Sequence, residues 1–248
     1  MSEQPTDNEW IGGFHAVASA LESGRPIRRL WLAEGRRNGR AEELAARAGA
    51  LDVPVATAPM SRLDGWLPDV RHQGCVAEVA PPREYRESEL PGLLRDADNP
   101  WVLALDQVQD PHNLGACLRS AAAAGVTAVI APRKRAAGLT VSVRKVAAGA
   151  AERVPFVPVT NLSRALKRLQ DEGFWVVGLD GAAETSLYDA DLPSPVVWVA
   201  GGEAKGIREL TARHCDLLVA IPMAAGMESL NVSVATGVAL FETVRRRR

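Results

Sequence analysis

The sequence lacks the features that mark membrane, secreted and zinc-binding proteins. It has no uncharged apolar run of about 18 residues, and its start, MSEQPTDNEW, does not follow the basic-then-apolar pattern of a signal peptide. The three cysteines, Cys75, Cys117 and Cys215, are far apart and form no CxxC pair. We therefore expect a soluble, cytoplasmic protein with reduced, partly buried thiols and no metal site.

The sequence also lacks a strong net charge. Lys and Arg number 29 against 30 Asp and Glu, which gives a formal net charge of −1, so any contact with nucleic acid must come from local basic patches. One candidate patch comprises Arg36, Arg37 and Arg40. The other is the acid-free segment 126–151, with the cations Arg133, Lys134, Arg135, Arg144 and Lys145. On charge alone, a solvated surface remains the alternative for both.

The pattern along the chain predicts two folded domains. Residues 1–8 are polar and are predicted to be a disordered tail, and residues 9–80 alternate helix-like and strand-like segments, which predicts a small α/β domain. Residues 81–99 are rich in proline and charge and are predicted to be a linker with one helical turn around 90–94. Residues 100–248 form the larger domain.

The larger domain follows a regular alternation of strands and helices. Apolar runs predict strands at 101–105, 126–131, 155–159, 174–179, 196–200 and 217–221. Helices are predicted at 113–124, 141–149, 162–172, 206–214 and 231–245. Strands of this kind that alternate with helices predict an α/β fold with a parallel sheet covered on both faces. Ligands bind such sheets beyond the carboxyl ends of the strands.

Three segments at predicted strand ends carry candidate functional residues. In the first, residues 106–125, Asn113 is predicted to cap the following helix. Arg119 lies there among small residues, where a long cation can approach a phosphate or a closely packed neighbour. A surface arginine is the alternative.

The second and third segments follow the last two predicted strands. In Gly201–Gly206 the glycines let a ligand approach the backbone, although the segment is neither GxGxxG nor a Walker loop and a plain turn is the alternative. In the third, Ile221–Ala235, Ser229 and Asn231 stand at the start of the last helix, and capping explains only one of them. The four histidines are scattered and show no Ser/His/Asp or Cys/His arrangement.

Together the three segments resemble the signature motifs of the SpoU-type (SPOUT superfamily) RNA ribose 2′-O-methyltransferases. The matching residues are Asp110–Gly115 with Arg119 and Gly125, then Gly201-x-Glu203-x-x-Gly206, then Ile221–Met223 with Ser229–Ala235. The amino-terminal segments Gly13–Val17 and His72–Gly74 resemble the small substrate-binding domain of the subgroup that modifies a guanosine of large-subunit ribosomal RNA. The resemblance covers nearly the whole chain.

The resemblance implies a carboxy-terminal domain with a deep trefoil knot, a homodimer whose partner completes each active site, and S-adenosylmethionine as the cofactor. The implied cofactor-binding residues are Gly201, Gly202, Ile221, Met223 and Leu230. The implied catalytic residues are Arg119, Glu203, Asn113, Ser229 and Asn231. RNA is the implied partner, and the resemblance to the subgroup indicates 23S rRNA. The residues expected to contact it are His15, His72 and the cations of segment 126–151, although for the two histidines a structural role in the core is the favoured alternative.

Because an arginine stays protonated in proteins, we expect Arg119 to stabilise the developing ribose alkoxide rather than act as a base. The proton then passes to a phosphate, to water or to Glu203. The sequence leaves four alternatives open: a tRNA 2′-O-methyltransferase, an rRNA methyltransferase that confers antibiotic resistance, a non-catalytic ribosome-assembly factor, and a nucleotide-dependent oxidoreductase. The missing GxGxxG counts against the last of these.

Overall fold

The computed structural model describes residues 9–35, 39–80, 83–134, 136–202, 206–225, 227 and 229–247, with only the backbone of Val141 and Lys145. The chain divides into two compact units, residues 1–83 and 84–248. The predicted disordered tail, residues 1–8, lies outside the described residues, as do Arg36, Arg37, Arg135 and Glu203.

The amino-terminal unit is a four-stranded sheet with helices. Its elements are β1 (Glu9–Gly12), α1 (Phe14–Glu22), β2 (Ile27–Ala33), α2 (Gly39–Gly49), β3 (Val55–Ala58), α3 (Met60–Trp66) and β4 (Cys75–Val79). The strand order is β1-β4-β2-β3, in which only β2 and β3 are parallel. Neighbouring residues of a strand face opposite sides: Leu30 packs in the cluster that contains α1 and α2 residues, and Trp31 in the cluster that contains α3 residues.

The carboxy-terminal unit is a six-stranded, wholly parallel sheet with helices. Its strands are β5 (Trp101–Asp106), β6 (Ala128–Pro132), β7 (Phe156–Val159), β8 (Trp175–Leu179), β9 (Val196–Gly201) and β10 (Leu217–Val219). Its helices are α4 (Leu90–Arg95), α5 (Pro111–Ala124), α6 (Val141–Ala147), α7 (Leu162–Asp171), α8 (Glu209–Ala212) and α9 (Val232–Arg247). The strand order is β10-β8-β9-β5-β6-β7. The predicted α/β class and parallel sheet are confirmed.

Strand β5 lies in the middle of this sheet and is buried on both faces. All six of its residues are buried. Trp101 and Leu103 belong to one apolar cluster, whereas Val102 and Ala104 belong to the other. A strand that is covered on both faces reads as a continuous apolar run, which is why WVLAL was recognisable in the sequence.

The segment predicted to be a linker, residues 81–99, is largely part of the carboxy-terminal unit. Leu90 and Leu94 of α4 are buried in its core, and the Glu87 carboxylate accepts a hydrogen bond of 2.8 Å from the backbone N–H of Thr160. The high content of proline and charge suggested a linker. Leu90 and Leu94 are four residues apart and share one helix face. Because both are buried, α4 is part of the core of the carboxy-terminal unit and not a linker.

The order in which the chain adds strands to the sheet reverses at the boundary between β5 and β9. From β5 the chain runs outward to β6 and β7, and it then returns to the other side of β5 to form β8, β9 and β10. The last residues of the two neighbouring strands, Asp106 and Gly201, lie opposite each other. In open parallel sheets such a switch point is the usual ligand site.

The described part of the chain contains no helix long and apolar enough to cross a membrane. Nor do the described residues include a cluster of three or more potential metal ligands. Cys75, Cys117 and Cys215 are free thiols, and burial raises the pKa of each to about 12. These thiols are therefore protonated and unreactive at neutral pH.

Candidate functional site

A cleft opens at the carboxyl ends of β8, β9 and β10. It holds about 680 Å³ of empty space, a volume that includes open solvent. The lining consists of apolar side chains and glycine backbone from four stretches of the chain. These are Leu179–Gly181, Ala200–Gly202 with Gly206, Val219 with Ile221 and Met223, and Ser229 and Leu230 with Val232 and Ala235.

The glycines after β9 allow the chain to pack against itself. A Cβ at Gly201 would lie 2.0 Å from the carbonyl carbon of Gly206, and a Cβ at Gly202 would lie 2.6 Å from the Gln107 oxygen. Gly206 has a φ of 61°, a conformation that L side chains rarely adopt. The sequence pattern predicted that these glycines allow a ligand to approach the backbone. The structure adds a second reason for them, because close contact within the chain also requires their small size.

The five residues predicted to bind the cofactor lie together. Gly201, Gly202, Ile221, Met223 and Leu230 all line the cleft. Ser229, predicted to be catalytic, also lines it and is exposed. Glu203 lies outside the described residues.

Helix α5 begins earlier than the sequence analysis predicted, and Asn113 does not cap it. Asp110 is the N-cap, because its carboxylate accepts a hydrogen bond of 3.0 Å from the backbone N–H of His112. This bond lowers the pKa of Asp110. Pro111 occupies the first helical position, where its missing N–H has no consequence. Asn113 is therefore inside the first turn, and its side chain is buried.

Asn113 is instead joined to the third motif. The side-chain N–H of Asn231 donates a hydrogen bond of 3.0 Å to Oδ1 of Asn113. Oδ1 of Asn231 accepts a hydrogen bond of 2.9 Å from the backbone N–H of Ser233, so Asn231 caps α9. Asn231 lies between Leu230 and Val232, which both line the cleft. The hydrogen bond from Asn231 therefore connects Asn113 to the cleft wall.

Arg119 is exposed on α5. It is not among the described residues that line the cleft of its own chain. Neighbouring residues of α5 pack on α9: Cys117 Sγ is 3.8 Å from Thr236 Oγ1, and a Cβ on Gly237 would lie 3.6 Å from Ser120 Oγ. Arg119 therefore points away from the tight packing and is available to another molecule.

Two acidic residues at strand ends were missed by the sequence analysis. Asp180 follows β8 and lines the cleft, and its Oδ1 accepts a hydrogen bond from Ala182 N. Asp106 ends β5, is fully buried and pairs with Arg208. Both could have been found in the same way as the glycines, because each directly follows an apolar run of the sequence, 101–105 or 174–179.

The two histidines of the amino-terminal unit are placed differently. His15 is exposed, as an RNA contact requires. His72 is buried; its Nε2 lies 2.9 Å from Asp64 Oδ1, and its Nδ1 accepts a hydrogen bond from Gly74 N. This arrangement argues against the predicted RNA contact of His72 and favours the structural role.

The predicted basic patch of segment 126–151 is described in part. Arg133 and Lys134 are exposed at the end of β6, Arg144 is half-buried on α6, and Arg40 of the other predicted patch is exposed at the start of α2. The side chain of Lys145 and the whole of Arg135 lie outside the description. Arg133 and Lys134 are therefore the members of this patch that the structure makes available.

Two family profiles match the chain, one on each unit. Residues 100–241 match the SpoU rRNA Methylase family. Residues 10–85 match the family described as RNA 2′-O ribose methyltransferase substrate binding. All three motifs lie within the first match.

Individual relatives are similar over almost the whole chain. The 23S rRNA (guanosine-2′-O-)-methyltransferase RlmB of Pseudomonas putida is 52% identical over 242 residues, 97% of each chain. The protein of the same name from Xanthomonas axonopodis pv. citri is 52% identical over 249 residues, 100% of this chain and 99% of that one. The AdoMet-bound rRNA methyltransferase of Sinorhizobium meliloti superposes with a TM-score of 0.73 at 26% identity, over 98% of this chain and 88% of that one. The chain belongs to the SpoU rRNA methylase family.

Proposed function

We propose that this protein transfers a methyl group from S-adenosyl-L-methionine to the ribose 2′-hydroxyl of a guanosine in 23S rRNA. The observation that carries the proposal is the cleft at the carboxyl ends of β8–β10, where the second and third motifs meet and to which Asn231 ties the first. The curated relatives with this activity in their names are 52% identical over at least 97% of the chain.

The cleft suits S-adenosyl-L-methionine. Its glycine backbone admits flat and polar groups closely, and Ile221, Met223 and Leu230 offer apolar side chains to an adenine ring and an aliphatic chain. The Asp180 carboxylate supplies negative charge for a positively charged ligand. When bound, S-adenosyl-L-methionine supplies a methyl group that a positively charged sulfur has already activated for transfer.

Because the methyl donor is already activated, the protein has to orient the ribose hydroxyl and stabilise the charge that develops on its oxygen. The Arg119 guanidinium is suited to the second task because it stays protonated and presents several N–H donors. Asn113 and Asn231 join the first turn of α5 to the start of α9 beside the cleft. Ser229 positions substrate at the cleft mouth, and the proton passes to a phosphate, to water or to Glu203.

The proposal includes a homodimer in which Arg119 acts at the partner's cleft. Arg119 is exposed, and no described residue forms a hydrogen bond or ion pair with it. The side chains of Leu230, Val234 and Phe241, in and next to α9, are 37%, 51% and 49% exposed. Apolar side chains grouped on one helix suit an interface with a second copy.

The remaining parts of the proposal rest on family membership. They are the trefoil knot, formed where the chain after β10 threads through an earlier loop, the cytoplasmic location, and RNA binding by the amino-terminal domain, residues 9–80. For the last, the match to the substrate-binding family supports a role in which exposed His15 contacts RNA. Arg133 and Lys134 are suited to contact the phosphate backbone.

The test combines methyl transfer and mapping. Purified protein is incubated with tritiated S-adenosyl-L-methionine and with either 23S rRNA or tRNA from cells that lack the gene, and 2′-O-methylated nucleotides are mapped. We expect one modified guanosine in 23S rRNA and no label with the Arg119→Ala variant. Label in tRNA instead, or no label with a protein that binds the cofactor, would overturn the proposal in favour of a tRNA enzyme or a non-catalytic factor.

A further inference from the structure

A buried carboxylate at the end of β5 binds the segment that follows β9. The Asp106 side chain is 0% exposed and the Arg208 side chain 37%. Oδ1 of Asp106 accepts a hydrogen bond of 2.8 Å from Nε of Arg208, and the same oxygen lies 2.7 Å from Nη2 of Arg208 in an ion pair. Oδ2 accepts a hydrogen bond of 3.1 Å from the backbone N–H of Arg208.

The backbone of Asp106 holds the other end of the same segment. Its carbonyl oxygen accepts a hydrogen bond of 2.9 Å from the N–H of Gly202, and Gly202 in turn accepts one of 3.0 Å from the N–H of Gly206. Asp106 therefore contacts the segment at Gly202 with its backbone and at Arg208 with its side chain. Between these two contacts lies Gly206, which lines the cleft together with Gly201 and Gly202.

The charge of Asp106 makes this attachment strong and specific. A carboxylate removed from water is costly unless it is paired and hydrogen-bonded, and Arg208 supplies its charge partner only when the segment lies against β5. A planar guanidinium and an ordered backbone N–H satisfy the two oxygens in one geometry. Gly202 and Gly206 are thus held in the positions that shape the cleft before any ligand binds.

We propose that Asp106 and Arg208 are positioning residues that pre-organise the cofactor site of this enzyme. Neither needs to touch the cofactor, because they act through Gly201, Gly202 and Gly206. The inference rests on the proposed function only in naming S-adenosyl-L-methionine as the ligand. The restriction of Gly202 and Gly206 by Asp106 and Arg208 is a property of the protein without any ligand.

The test compares Asp106→Asn and Arg208→Lys with Glu242→Gln. Asp106→Asn keeps the shape and removes the charge, whereas Arg208→Lys keeps the charge and removes the planar donor pair. Glu242→Gln is the matched control, because Glu242 is also a buried carboxylate that binds arginines, Arg245 and Arg246, on α9 outside the cleft lining. Amide exchange of Gly202 and Gly206 is measured without ligand, and the Kd of S-adenosylhomocysteine is measured by calorimetry.

In Asp106→Asn we expect the amide exchange rates of Gly202 and Gly206 to rise by about tenfold or more. We expect the Kd of S-adenosylhomocysteine to rise by a similar factor, because one charge-assisted hydrogen bond is lost. Arg208→Lys, which keeps a cation beside the carboxylate and so preserves folding, is expected to show a smaller change in the same direction. In methyl transfer, the KM for the cofactor rises while kcat at saturation stays within about twofold. The control leaves all of these values unchanged.

The inference is overturned if folded Asp106→Asn and Arg208→Lys keep the wild-type exchange rates and Kd, or if Glu242→Gln changes them equally. A wild-type protein that binds S-adenosylhomocysteine but methylates no RNA contradicts the proposed function and leaves the exchange and Kd comparison intact. The two failures are therefore distinguishable.

Discussion

The side chain of Asn231 donates a hydrogen bond of 3.0 Å to the side-chain oxygen of Asn113, which lies 118 positions earlier in the chain. The same Asn231 caps α9 through Ser233. One residue thus fixes the start of the last helix and joins it to the first turn of α5.

The two roles of Asn231 can be separated by substitution. Asn231→Ser retains a good N-cap but cannot reach Asn113, so we expect a loss of about 1–2 kcal/mol of unfolding free energy for the orphaned buried amide. Asn231→Ala loses the cap as well, at a further cost of about 1 kcal/mol. Methyl transfer is expected to fall at least tenfold in both variants. Urea unfolding and initial rates check this, and full activity of the serine variant would show that the Asn113 contact is dispensable.

Arg119→Ala is expected to change activity without changing stability. Because the side chain is exposed, the unfolding free energy should stay within about 0.5 kcal/mol of wild type. Loss of the donor to the ribose oxygen should lower kcat at least about 100-fold and leave the cofactor Kd intact. Calorimetry and tritium transfer on one preparation measure both, and near-normal turnover would refute the catalytic role.

Mixed dimers test whether Arg119 acts across the subunit interface. Met223→Arg should block the cleft, so a heterodimer with Arg119→Ala has one site that contains an open cleft and an intact arginine. When the two inactive variants are mixed in equal amounts and exchange subunits freely, heterodimers form. Because each heterodimer has one competent site, about one quarter of wild-type activity should return. If Arg119 serves its own cleft, no activity returns on mixing.

Gly201→Ala is expected to destabilise the carboxy-terminal unit. The new methyl group would lie 2.0–2.2 Å from the Gly206 and Ile207 backbone, and overpacking against a backbone that cannot yield costs about 3 kcal/mol or more. Gly92→Ala is the control: a Cβ there meets nothing within 4 Å, and alanine in α4 should add about 0.5–1 kcal/mol of stability. Equal unfolding midpoints for the two variants would contradict the close contact of Gly201 with the backbone of Gly206 and Ile207.

Glu242 should make the stability of the carboxy-terminal unit depend on pH. Hydrogen bonds from Arg245 and Arg246 lower its pKa to about 2 from the ordinary 4.5. A carboxyl group whose pKa is lower in the folded state stabilises the fold above pH 4.5, and this contribution disappears as the pH falls from 4.5 to 2. Urea unfolding at pH 6, 4 and 3 should show a smaller fall for Glu242→Gln than for wild type. If the unfolding free energy falls equally with pH in wild type and Glu242→Gln, the Glu242 carboxylate is not a source of acid sensitivity.

The regular elements of the larger unit were predictable because their signal is local. Six apolar runs marked β5–β10 to within about two residues at each end. In the smaller unit, β1 was not predicted, because its four half-buried residues carry little periodicity. At α5, both Asp110 and Asn113 are good capping residues, and the preference of Pro111 for the first helical position was the local signal that could have chosen between them.

The site was predictable only as a set of residue types. The resemblance to the SpoU-type family implied Gly201, Ile221, Met223 and Leu230, all of which line the cleft. It gave no reason to pair Asn113 with Asn231, or Asp106 with Arg208, and it offered an RNA contact as one role for the buried His72. These are pairings across the chain or matters of burial, which sequence patterns do not encode.

By itself, then, the sequence determined the strands, the helices and the motifs, because apolar periodicity, turn residues and capping act over a few neighbouring positions. The tertiary structure alone decided which polar groups meet. A buried carboxylate or amide must find its partner wherever the folded backbone brings one within about 3 Å, and for Asp106 that partner is Arg208, 102 positions further along the chain.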